Sequence, residues 1–269
     1  MKAEKGRAWG MPAAANFILG GAGAGLYLLI SVRQLMGAGL SGTEGLLPAA
    51  LVGLGFLSVS LESGRPWRGM YLLSNLRNSW MSIEVLSGSI FIAAVALDQF
   101  VPSPVLRATA ACAAFELVMS HGFILYRARA MSAWNVAAIP FLFLSSGLVL
   151  GGGALFLLSG LQRSTLDTGI LTVILVCLLA DMTAWVLYVW YPRGKAFRSA
   201  TAFLRRPLSL FVVTGLGHLV PLALLIWLAA TAGGSADTGI RHLGISLTGF
   251  CMLAGGAAQK MELILGASL

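Results

Sequence analysis

The chain contains 269 residues, of which 58% are hydrophobic and 10% are charged. An ordinary soluble domain carries charge on roughly 25% of its residues, so this composition excludes a disordered chain, a fibrous repeat and a soluble globular enzyme. The net charge is +8. Because the charged residues lie in short stretches between long apolar runs, they indicate membrane topology rather than nucleic-acid binding.

Eight apolar runs follow one another along the chain, and a membrane-spanning helix needs roughly 20 apolar residues. The runs are separated by turn-forming residues, such as GAGLSGTEG after the first, or by basic loops, such as 191–207. They are too long and too uniformly apolar for the strands of a membrane barrel. We therefore predict an all-α integral membrane protein with eight transmembrane helices and no separate soluble domain. The predicted spans are 13–36, 45–61, 80–100, 104–126, 137–160, 166–190, 209–231 and 239–259.

Two of the spans carry similar glycine-rich segments. The first span contains LGGAGAGLYLL, in which Gly21 and Gly25 lie four residues apart, and the fifth contains LGGGALFLL around Gly151–Gly153. Small residues at this spacing allow the backbones of neighbouring membrane helices to approach closely. The likeness also indicates two four-helix halves, which we place at 13–126 and 137–259.

Basic residues fall unevenly on the two sides of the predicted bundle. Fourteen lie on the side of the amino terminus and four on the opposite side, so the positive-inside rule predicts that both termini are cytoplasmic. The alternative is that the basic face docks a soluble partner. The fourteen are Lys2, Lys5, Arg7, Arg65, Arg68, Arg77, Arg127, Arg129, Arg193, Lys195, Arg198, Arg205, Arg206 and Lys260; the four are Arg33, Arg107, Arg163 and Arg241.

Polar residues inside a membrane are costly, so each is a candidate site residue. Each of the first four spans has one end on the side of the amino terminus. At that end, the rise per residue of a helix predicts that an amide, two carboxylates, an imidazole, a phenol and the loop arginines lie at similar depth. Such a mixture at the mouth of an apolar bundle suits a lipid-soluble ligand with two carbonyl oxygens, as in a quinone. The alternatives are interfacial anchoring for the arginines and the tyrosine, a helix–helix hydrogen bond for the histidine, and an arginine ion pair for Glu84. The residues are Asn16, Glu62, Arg65, Arg68, Glu84, His121 and Tyr126.

The second half places Asp181 and His218 well inside its spans. A structural Asp–His pair and a proton path are both compatible with this placement. We predict no metal site, because the three cysteines lie in apolar runs without CxxC spacing. Two rival functions remain open: a b-type cytochrome with His121 and His218 as haem ligands, and a secondary transporter with broken helices.

The segment 61–85, LESGRPWRGMYLLSNLRNSWMSIEV, resembles the loop between the second and third helices of the DMSO reductase anchor family (DmsC/NrfD/PsrC type). The matching parts are the GRPWR run, a turn that contains Asn and Arg, and SWMS followed by Glu84. The opening FILGGAGAGLYLL resembles the first helix of that family, and ARAMSAWNVAAIPFLFLSSGLVLG at 128–151 resembles the segment after its fourth helix. The likeness extends over nearly the whole chain.

The resemblance implies an anchor subunit in a bacterial or archaeal cytoplasmic membrane, without haem and not catalytic alone. It would exchange electrons between menaquinone or ubiquinone and the iron–sulfur relay of an anaerobic respiratory complex. The implied partners are a four-cluster ferredoxin-like subunit and a molybdopterin catalytic subunit, which hold the clusters and the molybdopterin.

Carried over by position, Glu62 and His121 become candidates for proton transfer, and Asn16 and Tyr126 for orienting the quinone ring. Arg65 and Arg68 lie beside them in the loop. The DMSO reductase branch has a histidine where Glu62 stands here. The sequence therefore looks closer to the membrane subunits of phenylacetyl-CoA:acceptor oxidoreductases, whose CoA thioester substrate would be met in the cytoplasm.

Overall fold

The computed structural model describes residues 9–37, 45–62, 79–164, 166–190, 194–231 and 238–266. These residues are mostly helical and include no strand. The described helices are α1 (Met11–Leu35), α2 (Leu47–Glu62), α3 (Trp80–Phe100), α4 (Pro104–Arg127), α5 (Ile139–Leu161), α6 (Thr168–Val189), α7 (Lys195–Ala200), α8 (Pro207–Ala230) and α9 (Thr238–Met261).

Six of these helices, α1, α3, α4, α5, α6 and α8, are long and apolar enough to cross a membrane. The chain is therefore an all-α, multi-pass membrane protein. The other two predicted spans are helical as well. Helix α2 is apolar but shorter, and the 24-residue α9 carries Arg241 and His242 near its start and Lys260 near its end. Each of the eight predicted apolar segments thus forms a helix.

The helices begin where the sequence supplies a suitable first turn. Ser79 caps α3 by accepting a hydrogen bond from the Ser82 amide, and Asp167 caps α6 by accepting one from the Ile170 amide. Proline occupies the first turn of α1, α4 and α5, where its missing N–H leaves no intrahelical hydrogen bond unmade. These signals set the depth at which each helix starts.

The glycine-rich segments of α1 and α5 pack directly against each other. A Cβ atom on Gly25 would overlap the backbone of Gly147, and one on Gly151 would overlap the backbone of Gly25. The predicted close approach at Gly25 and Gly151 is therefore confirmed. Helix α1 also packs against α2 and α4, and α5 also packs against α9. We call the close contact between α1 and α5 the α1–α5 seam. It joins the first four helices to the later ones.

Helix α8 is irregular at the level of its backbone. Residues Leu210–Leu219 are π-helical, and α-helical geometry resumes at Val220 just before Pro221. Proline lacks an N–H and its ring displaces the carbonyl of the residue four positions earlier, which is a usual cause of such a break. Gly217 of this segment packs against Gly255 of α9. The wide turns place His218 inside the bundle.

Candidate functional site

Three buried polar side chains, one each from α1, α3 and α4, meet at one end of the bundle. Asn16 donates a hydrogen bond from Nδ2 to Oε1 of Glu84 at 2.6 Å. His121 places Nε2 3.2 Å from the same oxygen, but the direction of this contact does not satisfy hydrogen-bond geometry. We call Asn16, Glu84 and His121 the cleft cluster, and Glu84 is its central member.

The cleft cluster is incompletely satisfied. Oδ1 of Asn16 and both ring nitrogens of His121 are buried and have no hydrogen-bond partner among the described residues. Buried polar atoms in proteins are nearly always hydrogen-bonded to protein or water. The cluster therefore has donors and acceptors to offer to a further polar group.

An open cleft of about 310 Å³ lies beside this cluster. Its polar wall consists of Asn16 and Glu84, and Trp9 stacks on Phe17 in its apolar wall with ring centroids 5.3 Å apart. His121 is fully buried and contacts the polar wall through Glu84. A largely apolar cavity with a few placed polar groups is the usual form of a small-molecule site. The wall comprises Trp9, Gly10, Ala13, Asn16, Phe17, Val59, Met81 and Glu84.

One face of α1 shapes the cleft cluster. Gly20 lies one turn after Asn16 and therefore on the same face of the helix. A Cβ atom at Gly20 would lie 2.8 Å from Cε1 of His121, so the absence of a side chain there makes room for the imidazole. Phe17 meets the same ring edge to face, with centroids 4.8 Å apart. The glycine and the phenylalanine together fix the position of the imidazole.

The other predicted quinone-site residues divide into two groups. Arg65, Arg68 and the side chain of Glu62 lie outside the described residues, although α2 ends at Glu62. Tyr126 is partly buried near the end of α4, and its ring packs near Phe123 with centroids 6.5 Å apart. It does not belong to the described wall of the cleft.

The sequence places Glu84 in the polar cluster at this end of the bundle, with an arginine ion pair as the alternative. Among the described residues its partners are Asn16 and His121, and the loop arginines Arg65, Arg68 and Arg77 lie outside the described residues. The signal that pointed to it was depth, because Glu84 begins the second turn of α3 at the same end as Asn16. The rotation of α3 about its axis, which decides the partner, is set by packing.

A second group of polar side chains is buried in the later helices. Asp181 of α6 places Oδ2 3.0 Å from Nε2 of His218 on α8. Oδ1 of the same carboxylate accepts a hydrogen bond from Ser145 of α5 at 2.7 Å. Nδ1 of His218 lies 2.7 Å from the carbonyl oxygen of Val213. The Asp–His pair considered from the sequence is thus observed.

Lys260 belongs to this second group, whereas its sequence position led us to count it among the charges of a basic face. It is fully buried, with Nζ 4.2 Å from the centre of the Phe143 ring and 3.5 Å from the Phe143 carbonyl oxygen, to which it donates. Phe143 lies two residues before Ser145, which binds the carboxylate of Asp181. A signal was available in the small residues before it, since Gly255 and Gly256 let α9 pack deeply. We call Ser145, Asp181, His218 and Lys260 the enclosed cluster.

The described part of the chain contains no group of three or more His, Cys, Asp or Glu side chains that could hold a metal ion. Cys112, Cys177 and Cys251 are free thiols.

No protein-family model matches this chain, and no curated protein matches it either.

Proposed function

We propose that this chain is the quinone-reactive membrane anchor subunit of a molybdopterin/iron–sulfur oxidoreductase of the DMSO reductase anchor type. The observation that carries the proposal is Glu84, a buried carboxylate on the wall of an open, apolar cleft that contacts both Asn16 and His121. Carboxylate and imidazole groups in contact are a usual arrangement for moving protons at a binding site.

The cleft suits a quinone head group in shape and in polar groups. Its volume of about 310 Å³ is at the lower end of the range for small-molecule sites, roughly 300–1,000 Å³. The stacked Trp9 and Phe17 offer a flat apolar surface for a ring. The polar side chains on its wall, Asn16 and Glu84, are the groups that can bind the carbonyl or hydroxyl oxygens of the ligand. A quinone, when bound, supplies a carrier that takes up two electrons and two protons.

Each residue of the cleft cluster would have one of two roles, which are orientation of the ligand and proton transfer. Asn16 orients the ligand and, through its hydrogen bond, fixes the carboxylate of Glu84. Glu84 exchanges a proton with the cleft, and His121 lies behind it as the next group that can hold that proton. Glu62, as a second proton-transfer group, and Tyr126 would act at the same end of the bundle. Arg65 and Arg68 would favour the developing negative charge.

The anchor role is supported by charge and by the resemblance of 61–85. Basic residues dominate one predicted side of the bundle, which is also the side of the cleft, so an acidic partner surface would dock there. We infer eight spans in two four-helix halves, both termini in the cytoplasm, and location in a bacterial or archaeal cytoplasmic membrane. The partners would be the ferredoxin-like and molybdopterin subunits, and the ligand menaquinone or ubiquinone.

A b-type cytochrome receives less support from the same contacts. His218 has one ring nitrogen at the Val213 carbonyl and the other at Asp181, so neither nitrogen is free to ligate haem iron. His121 would then have to serve with a ligand other than His218.

The quinone site is tested by Glu84→Gln in the full chain, reconstituted in lipid nanodiscs and titrated with short-chain ubiquinone and menaquinone analogues. We expect the affinity for the preferred analogue to fall about tenfold, equivalent to about 1.4 kcal/mol, because a neutral amide makes weaker hydrogen bonds with the ligand than a carboxylate does. The matched control is Asp98→Asn, which neutralises a carboxylate near the opposite end of α3 that pairs with Arg107. Equal affinity in the wild type and Glu84→Gln would overturn the site.

The anchor role is tested separately by purifying the native complex through a tag on this chain. We expect iron–sulfur and molybdopterin subunits to co-purify, and Glu62→Gln to lower quinone-coupled turnover while the complex stays assembled. Purification of the chain without such subunits would overturn the anchor role and leave the quinone measurement standing. Unchanged turnover in Glu62→Gln would remove only the role given to Glu62.

A further inference from the structure

The enclosed cluster draws one polar group from each of four long helices. Ser145 comes from α5, Asp181 from α6, His218 from α8 and Lys260 from α9, and none of them is more than 3% exposed. Ionisable groups at such depth are costly unless they compensate one another. The protonation of the Asp181–His218 pair can be deduced from its contacts.

The contacts of His218 require a proton between the imidazole and Asp181. The Val213 carbonyl can only accept, so Nδ1 of His218 carries a hydrogen. Nε2 lies 3.0 Å from Oδ2 of Asp181, and a carboxylate oxygen and a bare nitrogen at that distance repel each other unless one proton joins them. The proton resides either on the acid or on the imidazole, and in both cases the pair is neutral overall.

Loss of that proton would leave one negative charge on the pair, and Lys260 is the group that can compensate it. Its Nζ lies over the Phe143 ring and 3.5 Å from the Phe143 carbonyl oxygen, two residues before Ser145, whose hydroxyl binds Asp181. Gly21 of α1 leaves the space for it, since a Cβ there would lie 3.3 Å from the Lys260 Cε. Lys260 therefore stabilises the deprotonated pair, and Ser145 adds a hydrogen bond to the remaining carboxylate.

We propose that Asp181 and His218 form a buried site that binds and releases one proton, with Lys260 as its counterion. The proton that leaves is the one shared by Oδ2 and Nε2; it passes to solvent water at equilibrium, and no electron moves with it. The described charged or titratable groups that interact with the pair are Lys260 from α9 and Cys177 from α6 itself. Helix α5 presents the uncharged Ser145 to the pair, and Gly21 of α1 faces Lys260. This inference is independent of quinone.

The site is tested by ¹⁵N-histidine NMR of the full chain in lipid nanodiscs, titrated between about pH 5 and pH 10. The chain has three histidines, so the His218 signals can be assigned by single substitution of the other two. We expect Nδ1 to stay protonated throughout, while the Nε2 signal changes once as the shared proton leaves. Asp181→Asn should abolish that change.

Lys260→Met supplies the decisive comparison, because it removes the charge and keeps a flexible side chain of similar length. Without the counterion the deprotonated pair is disfavoured, so the midpoint should move to higher pH by at least about one unit, a tenfold gain in proton affinity. The matched control is Lys195→Met, which removes an exposed charge on α7. Ser145→Ala should move the midpoint in the same direction by a smaller amount. It replaces Lys260→Met in the test if that variant does not fold.

Two results would overturn the proposal. One is an Nε2 signal in the wild type that does not change with pH, which would mean that the Asp–His bond is only structural. The other is a midpoint in Lys260→Met, or in Ser145→Ala where that variant stands in, that equals or lies below the midpoint of Lys195→Met.

Discussion

The cleft cluster and the enclosed cluster use the same pair of groups, a carboxylate and an imidazole, in opposite settings. In the cleft cluster, Glu84 lies on the wall of an open cleft, and Asn16 and His121 retain unpaired atoms. In the enclosed cluster, both carboxylate oxygens of Asp181 have partners and both nitrogens of His218 are engaged. Spare hydrogen-bonding capacity beside a cleft suits a ligand that comes and goes. A buried carboxylate and imidazole whose polar atoms all have partners can exchange nothing larger than a proton.

Helix α1 is the common wall between the two clusters. Its consecutive glycines face different groups, since Gly20 makes room for His121 and Gly21 makes room for Lys260. Aromatic rings fill the rest of the boundary: Phe17 contacts His121 on one side and the Phe143 ring, 5.7 Å away, on the other. Because aromatic rings carry no transferable proton, this boundary keeps the two proton-holding sets apart.

The largest predicted effect concerns the enclosed cluster, where Asp181→Asn removes the carboxylate that pairs with His218. Breaking a buried pair of this kind by removing one partner costs about 3–5 kcal/mol, because the remaining group stays desolvated without its partner. We expect a loss of this size in the free energy of unfolding, measured by titration with denaturing detergent.

The control for that loss is Asp98→Asn on α3. Its partner Arg107 is 39% exposed, and a solvent-screened pair of this kind is worth about 1 kcal/mol or less. If Asp181→Asn cost no more than Asp98→Asn, the enclosed cluster would not depend on the buried Asp181–His218 pair, and the contrast between the two clusters would fail.

The next effect concerns the close contact of α1, the helix between the two clusters, with α5. Gly25→Ala would bring a methyl group onto the backbone of Gly147, which cannot rotate away, and overpacking of this kind costs about 1–3 kcal/mol. Gly53→Ala on α2 is the matched control, because nothing lies within 4 Å of a Cβ there. It should be neutral or stabilising by up to about 1 kcal/mol through helix propensity. Equal thermal stability of the two variants would show that α1 and α5 can move apart at this position without a loss of stability.

The helices were predictable because the apolar runs end at strong local signals. The predicted spans 80–100 and 104–126 match α3 and α4 to within a residue, since proline and polar residues bound them. The depth of a residue along a straight helix also follows from its position, which is why Asp181 and His218 were correctly placed inside the bundle.

What the sequence did not predict depends on how the helices rotate and how closely they approach. Glu84 meets Asn16 because of the rotation of α3 against α1, and no periodic pattern encodes that in a helix that is apolar on most sides. Lys260 is buried in a part of α9 that packs closely on α8, where Gly217 meets Gly255. The small residues before Lys260 are a sequence signal for close packing, but the sequence does not show which helix they pack against.

The smallest predicted effect distinguishes the two faces of α1 with single methyl groups. Gly20→Ala would place a methyl 2.8 Å from the His121 ring, whereas Gly21→Ala would place one 3.3 Å from the flexible Lys260 Cε. We expect Gly20→Ala to displace the imidazole, at a cost of about 1 kcal/mol, and to lower affinity for the quinone analogue. Gly21→Ala should leave that affinity unchanged and alter only the pH midpoint of the His218 Nε2 signal.

Because the glycines are adjacent, helix propensity and depth cancel in the comparison. The same response of both measurements to both variants would mean that the clusters are coupled through α1 rather than separated by it.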